Sequence, residues 1–445
     1  MNKTTKAAGI GLITATAYVI ANMVGTGVFT SLGFQIAGGV DNVFAIVMLW
    51  FFGAIIAFTG AQVYGELGSV MPRSGGEYHY LSQLYHPSIG FMSGFFSAFI
   101  GFAAPIALAS MALSQYFSNV YAGIHPKVIA CGIIVIVTMV HIISVKSGSR
   151  FQVVFTSLKI LLIFTFIVAG FFFIKEPQHI NLIPNKVSWQ QMLSSGFAVS
   201  LIFVYYSYSG WNASAYFVSE LRNPQKTLPR SLLIGTIVVA VLYLLLNLVF
   251  VYVTPISEFT QIVDGKIEGK VDVGAIAALH IFGASGGKII SLFISILLIS
   301  TISSMVFAGP RVIQVMGEDY KIFRFLAKKR ENGVPVNAIL LQSAISLILL
   351  LTSTFDALLT YLGFVMNLFA FMTVAGVYVH RIRHPEMHRP FKSWAYPVLP
   401  AIFMIFVIWN VWFMFQIKTA ETLYGLLTLG VGLLIYFIFL NKKRT

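Results

Sequence analysis

Val24-Gly25-Thr26-Gly27-Val28 interrupts one long apolar segment, and Tyr208-Ser209-Gly210-Trp211-Asn212 interrupts another, five apolar segments later. Glycine lets a backbone leave the helix at little steric cost. Inside a bilayer the N–H and C=O groups freed in this way need a partner. Interruptions at matching positions in two halves of a membrane chain point to a ligand site near the midplane. A ligand charged at both ends would supply the missing partners.

The rest of the chain fits a membrane setting. It is 58% apolar and 10% charged, with a mean hydropathy of +0.85, which excludes a soluble domain of this length. Stretches able to cross an apolar core of about 30 Å recur throughout. Twelve are read, at 7–39, 43–70, 88–117, 126–144, 151–174, 192–219, 230–254, 286–310, 336–354, 356–380, 395–417 and 422–440. The division at Thr354-Phe355-Asp356 is the shortest of the connections. Pro255 to Val273 and Met316 to Pro335 are the largest segments outside the spans. Asp264-Gly265-Lys266 reads as a tight turn in the first of them.

Basic residues set the orientation. With both termini cytoplasmic, all but seven of the 29 lysines and arginines lie on the inner side; the seven are Lys127, Lys175, Lys186, Lys266, Lys270, Lys288 and Lys418. The net charge of +14 is therefore a topology signal. Nucleic-acid binding is disfavoured, because the charge is scattered over alternating loops. The densest cluster, Lys328-Lys329-Arg330, reads as an inner loop near anionic headgroups. Met1 to Lys6 is a short basic start to an uncleaved first span. Cys131 is the single cysteine, so neither an intramolecular disulfide nor a multi-cysteine metal site is expected.

The first span has 33 residues from Ala7 to Gly39, about 50 Å if it were one helix. Gly25 and Gly27 suggest an unwound middle. The half-helix that follows would then aim free N–H groups and a positive dipole end at the cavity, where a carboxylate fits. Close glycine-mediated packing of two helices is the competing reading. In the second break, Tyr205 to Asn212 is rich in rings and hydroxyls. Facing a cavity, it offers carbonyls to an ammonium group and rings to cover a ligand. Its competing reading is polar glue between helices.

Four stretches carry a family resemblance. They are Gly25-Thr26-Gly27-Val28-Phe29; Tyr64-Gly65-Glu66-Leu67 through Pro72-Arg73-Ser74-Gly75-Gly76-Glu77-Tyr78; Tyr208 to Asn212 with Glu220-Leu221-Arg222-Asn223-Pro224 and Leu228-Pro229-Arg230; and Ala308-Gly309-Pro310-Arg311. The chain resembles the amino acid–polyamine–organocation superfamily, near its L-amino-acid transporter-like branch, over nearly all twelve spans. The resemblance implies an all-α integral membrane protein of twelve helices with a LeuT-type 5+5 inverted repeat, helices one and six being broken. Residues 1–175 would be the first repeat, 188–380 the second, and 395–445 two appended spans with a cytoplasmic tail.

The resemblance also implies roles. Backbone N–H groups of Thr26 and Gly27, beside Gly25, would receive a substrate carboxylate. Carbonyls of Met23, Tyr206, Ser207 and Ser209 would receive its α-ammonium, with Tyr206 covering the site and Asn212 bordering it. Ser207 and Ser209 replace smaller residues of many relatives, which points to small or polar neutral L-amino acids.

Lys159 lies about 12 Å into span five, where a lysine is costly unless carbonyls, hydroxyls or water meet it. Snorkelling to the inner surface is the competing reading. In sodium-independent members of the look-alike family, a lysine here fills a sodium site and bridges broken helix one to span eight. Ser300, Thr301, Ser303 and Ser304 are the hydroxyls available on that span. Glu66 is read as a structural or gating carboxylate. Tyr243, one turn from Asn247, is a further gating candidate. His380, His384 and His388 are read as surface histidines, since Pro385 interrupts their helix. Gly283 to Gly287 is read as a loop before span eight.

No triad, phosphate loop or metal motif is present, so neither an enzyme nor a cofactor is expected. The leading expectation is a sodium-independent amino acid permease or exchanger of the cell membrane, working by alternating access. A proton-coupled symporter and a channel are the alternatives. The loop Ser118 to His125 lacks the cysteine that some relatives use to bond a heavy subunit, so no such disulfide-linked partner is expected.

Overall fold

A computed structural model describes residues 9–143, 148–330 and 333–440. The basic start Met1 to Lys6 lies outside these residues. The first apolar segment is two helices, α1 (Leu12–Met23) and α2 (Gly27–Ala37). They are followed by α3 (Val43–Val70), the short α4 (Glu77–Leu84), α5 (Pro87–Phe96) and α6 (Ala103–Ser118). A π-helical turn, Ser97–Gly101, joins α5 to α6. Next come α7 (Pro126–Ile143), α8 (Gly148–Phe172), α9 (Lys186–Met192) and α10 (Ser195–Tyr208). A 3-10 segment, Ala213–Glu220, then leads to α11 (Pro224–Val253). The remaining helices are α12 (Val273–Asp319), α13 (Arg324–Ala327), α14 (Val336–Thr352), α15 (Phe355–Arg383), α16 (Val398–Ile417) and α17 (Thr419–Ile435).

Among the described residues, ten helical segments are long and apolar enough to cross a membrane. A pair bent by 65°, Lys186–Met192 with Ser195–Glu220, would make an eleventh. The apolar helix Val336–Thr352 has 17 residues. The chain is therefore a multi-pass membrane protein.

Local chemistry explains the ends. Asn42 caps α3 by accepting the Ala45 N–H at 3.2 Å, as N-cap asparagines do. Thr354 caps α15 through the Ala357 N–H, which fits the division expected there. Two departures from expectation stand out. Gly283 to Gly287 is a kink and not a whole loop: Gly283 leaves helical geometry (φ 71°, ψ −175°) and divides α12 into two helices, and the residues after it are helical. The all-helical expectation also missed a hairpin, β1 (Thr260–Val263) antiparallel to β2 (Lys266–Gly269). Asp264 and Gly265 both have positive φ, which a two-residue type I′ turn requires. That pair forms the tight turn read at 264–266.

Packing pairs the helices of the two halves: α3 lies along α11, α6 along α12 and α7 along α14. The hairpin sits on α2 at one face of the molecule, where the Lys270 carbonyl lies 2.5 Å from where a β-carbon on Gly33 would be. The opposite face, reached by the far end of α3, carries the arginine ion pairs. Arg73 bonds Asp319 at 2.7 Å and Arg311 bonds Glu220 at 2.8 Å. Ile10 and Leu221 form a parallel bridge that ties the start of the first broken span to the end of the second.

Candidate functional site

Both expected breaks are present, and they face each other. In the first, helix α1 stops because the Gly25 N–H turns back to the Met23 carbonyl at 2.8 Å, too short a step for helix continuation. The new helix starts at Gly27 with no side-chain cap. The N–H groups of Thr26, Gly27 and Val28 have no backbone partner among the described residues, yet all three residues are buried. Buried orphan donors at a helix N-terminus form an anion-receptive spot.

In the second break, α10 stops because Ser209 turns extended (ψ 149°) and Gly210 takes φ +100°. Only glycine does this freely, and a β-carbon at Gly210 would also press on Asn22 of α1, 2.7 Å from its carbonyl carbon. The carbonyls of Ser207, Tyr208 and Ser209 accept no backbone bond among the described residues. A helix C-terminus with free carbonyls attracts cations. The two breaks thus set complementary charges side by side. Tyr206 Oη approaches Thr26 Oγ1 at 3.5 Å, and Ser31 Oγ meets Ser207 Oγ at 2.9 Å. Gly27 packs on Ser207 so closely that a β-carbon would lie 2.5 Å from the Ser207 Cα.

A cavity opens beside the breaks, with about 700 Å³ of space including part open to solvent. Asn22, Ser209, Gly210 and Asn212 contribute to its wall, and Phe96, Phe102 and Phe369 to its apolar side. Thr26 and Gly27 do not line it. A second, larger opening of about 2020 Å³ lies under the hairpin, bordered by Phe34, Phe203 and Asp356. The packed Gly27–Ser207 contact belongs to neither.

Lys159 is 2% exposed. Its ammonium donates to the carbonyls of Val24 (2.7 Å) and Ala21 (3.3 Å) and to Thr301 Oγ1 (2.7 Å). All three ammonium donors are therefore used, and the side chain links broken helix one to α12 instead of reaching a surface. The other candidate hydroxyls of α12 do not join it. Ser303 Oγ pairs with His141 (2.8 Å), Ser304 Oγ donates to the Thr301 carbonyl (2.8 Å), and Ser300 Oγ has no partner among the described residues.

The profile of the amino acid permease family matches residues 10–438. The chain belongs to the amino acid permease family. It is 28% identical to human b(0,+)-type amino acid transporter 1, over 98% of this chain and 88% of that protein. It is also 28% identical to the serine/threonine exchanger SteT of Bacillus subtilis (strain 168), over 88% of both. The mouse large neutral amino acids transporter small subunit 2 is 28% identical too, over 91% of this chain and 76% of that protein. The permease accordingly lies in the amino acid–polyamine–organocation superfamily, in its L-amino-acid transporter-like branch, and is an amino acid transporter, not an enzyme.

Several candidate residues of the permease sit differently from expectation. The Met23 carbonyl is already engaged twice, by the Gly25 N–H and by Tyr243 Oη at 2.6 Å. Tyr243 therefore braces the first break from α11, and Asn247 bonds back to the Tyr243 carbonyl. Glu66 is fully buried and held by Arg381 in a bidentate pair (2.9 and 2.7 Å), by the Ser393 N–H at 2.7 Å and by Arg389 at 3.5 Å. That arrangement is a clamp between α3, α15 and the segment after it. Of the three histidines read as surface residues, His384 and His388 are exposed, but His380 is buried (5% exposed) with its ring 5.3 Å from that of His384.

One residue was overlooked in the sequence. Glu77 lies inside the Ser74-Gly75-Gly76-Glu77-Tyr78 motif and is 7% exposed. Its Oε1 accepts from Tyr64 Oη (2.8 Å) and Asn212 Nδ2 (2.6 Å), and its Oε2 from Tyr216 Oη (2.6 Å). Gly75 and Gly76, both at positive φ, give their N–H groups to the carbonyls of Tyr216 and Ala215 at 3.3 Å. The motif thus docks on the second half of broken span six. The signal that could have found it was a carboxylate following two glycines next to a span.

Proposed function

We propose that the permease is a sodium-independent secondary transporter of small or polar neutral L-amino acids, working as an exchanger by alternating access across the cell membrane. The observation that carries the reading is the facing pair of breaks, with orphan N–H groups on one and free carbonyls on the other. A zwitterion satisfies both. The Gly27–Ser207 contact is then a closed arrangement of the two breaks, which substrate parts when the N–H groups of Thr26 and Gly27 take its carboxylate. Carbonyls of Ser207 and Ser209 take the ammonium, and Tyr206 covers it. Met23 contributes less, since its carbonyl is engaged. Gly25 keeps the backbone free to turn.

Twelve spans fit the helices when α9–α10 with the 3-10 segment and α14 each count as one span. Pairing of α3 with α11, α6 with α12 and α7 with α14 supports inverted repeats at 1–175 and 188–380, followed by 395–445. The arginine-bearing face would be cytoplasmic, and with it both termini. Serine/threonine exchange by SteT supports the small polar substrate class. The loop between α6 and α7 carries no cysteine, so no disulfide-linked heavy subunit is proposed.

Sodium independence rests on Lys159, whose ammonium occupies the carbonyls and hydroxyl that a sodium ion would need. In proteoliposomes, labelled substrate should show saturable counterflow. Its uptake should be unchanged when sodium is replaced by choline at fixed pH. A strict sodium requirement would remove this assignment of Lys159, and absence of counterflow with any amino acid would remove the carrier reading.

A further inference from the structure

We propose that Glu77 sets the charge selectivity of the cavity: its wall accepts side chains that donate hydrogen bonds and rejects those that carry a carboxylate. This inference rests on the amino acid reading above. Among the residues lining the cavity, Glu77 is the one that carries a charge. No lysine, arginine or histidine nitrogen lies within 4.0 Å of it among the described residues. This contrasts with Glu66, which is held by two arginines and lies outside the lining.

The three donors that hold Glu77 are neutral. Asn212 Nδ2 also bonds Tyr216 Oη at 3.1 Å, so the Tyr216 hydroxyl accepts from Asn212 and gives its own proton to Glu77. All three bonds to the carboxylate therefore point a hydrogen at it, as charge-assisted bonds to an anion do. The negative charge is solvated but not cancelled. The end of α10 turns its negative dipole end toward the same space, with Ser209 in the wall. A substrate carboxylate side chain entering here meets like charge. A hydroxyl, amide or ammonium meets acceptors.

Isosteric ligand pairs separate this role from a structural one. Binding of asparagine against aspartate, and glutamine against glutamate, is measured on the purified full-length protein, wild type, Glu77→Gln and Glu77→Asp, with thermal unfolding as the folding control. In the wild type the amide member of each pair should bind at least tenfold better. In Glu77→Gln that preference should shrink by tenfold or more, and Glu77→Asp should keep it. Should Glu77→Gln not fold, Ser97→Lys brings a cation to the same wall without touching the Glu77 partners, and should shrink the preference likewise.

Equal affinity within each pair in the wild type would overturn the proposal. So would a Glu77→Gln protein that weakens both members in proportion, because a brace for span six would do that. Binding of alanine or serine but of neither pair would overturn it too. Failure to bind any amino acid would instead strike the proposed function itself.

Discussion

Lys159→Ala is expected to reduce transport by about a hundredfold or more while leaving folded protein in the membrane. The substitution takes a buried ammonium from the Val24 and Ala21 carbonyls and from Thr301 Oγ1, and leaves the 3.2 Å bond from Thr301 Oγ1 to the Val24 carbonyl as the remaining bond between them. Each buried group left unsatisfied costs about 1–3 kcal/mol, and every 1.4 kcal/mol or so is a factor of ten. The cost falls on the link between broken helix one and α12, which has to hold while the cavity changes sides. Thr301→Ala should be milder, since two carbonyls still hold the ammonium. Initial uptake rates per reconstituted molecule check both. Wild-type rates in folded Lys159→Ala would show that the bridge plays no part in transport.

Gly27→Val is expected to lower ligand binding per folded molecule by about a hundredfold or more, the order set by losing two charge-assisted bonds of about 1.5–3 kcal/mol each. Its yield should fall as well, because the new β-carbon lies 2.5 Å from the Ser207 Cα and pushes the two breaks apart. Gly27 thus serves close packing and backbone access at the same point, two roles that the sequence presents as alternatives. Thr26→Ala should be much weaker in effect: its hydroxyl has only a 3.5 Å contact with Tyr206, and the donor at issue is its backbone N–H. Normal affinity in the fraction of Gly27→Val that folds would remove span one from the site.

The breaks were legible because glycines close together in one apolar run, and a glycine among rings and hydroxyls in another, interrupt the two runs at matching positions. Lys159 was legible because a buried ammonium has few resting places, and the carbonyl end of a broken helix is one of them. The identity of its partners was less so: four hydroxyls crowd Ser300 to Ser304, and which one faces Lys159 depends on helix rotation. Only Thr301 does. Ser303 turns to His141 on another helix. The Glu77 cluster was hidden because it joins positions 64, 77, 212 and 216, which meet only when the loop after α3 folds onto broken span six. The hairpin was hidden because four-residue strands are too short to show alternation. At Met23 the Tyr243 hydroxyl that engages the carbonyl was hidden because it comes from a position 220 residues away.

The central claim is that backbone groups of two facing breaks hold both charges of an amino acid. Competition for labelled uptake by amino acid methyl esters and N-acetyl amino acids tests it most directly. Each analogue removes one of the two charges and keeps the side chain. Neither class should compete at concentrations where the parent amino acid displaces label fully. Strong competition by the esters would contradict a carboxylate site at Thr26 and Gly27, and strong competition by the N-acetyl derivatives would contradict an ammonium site at the end of α10.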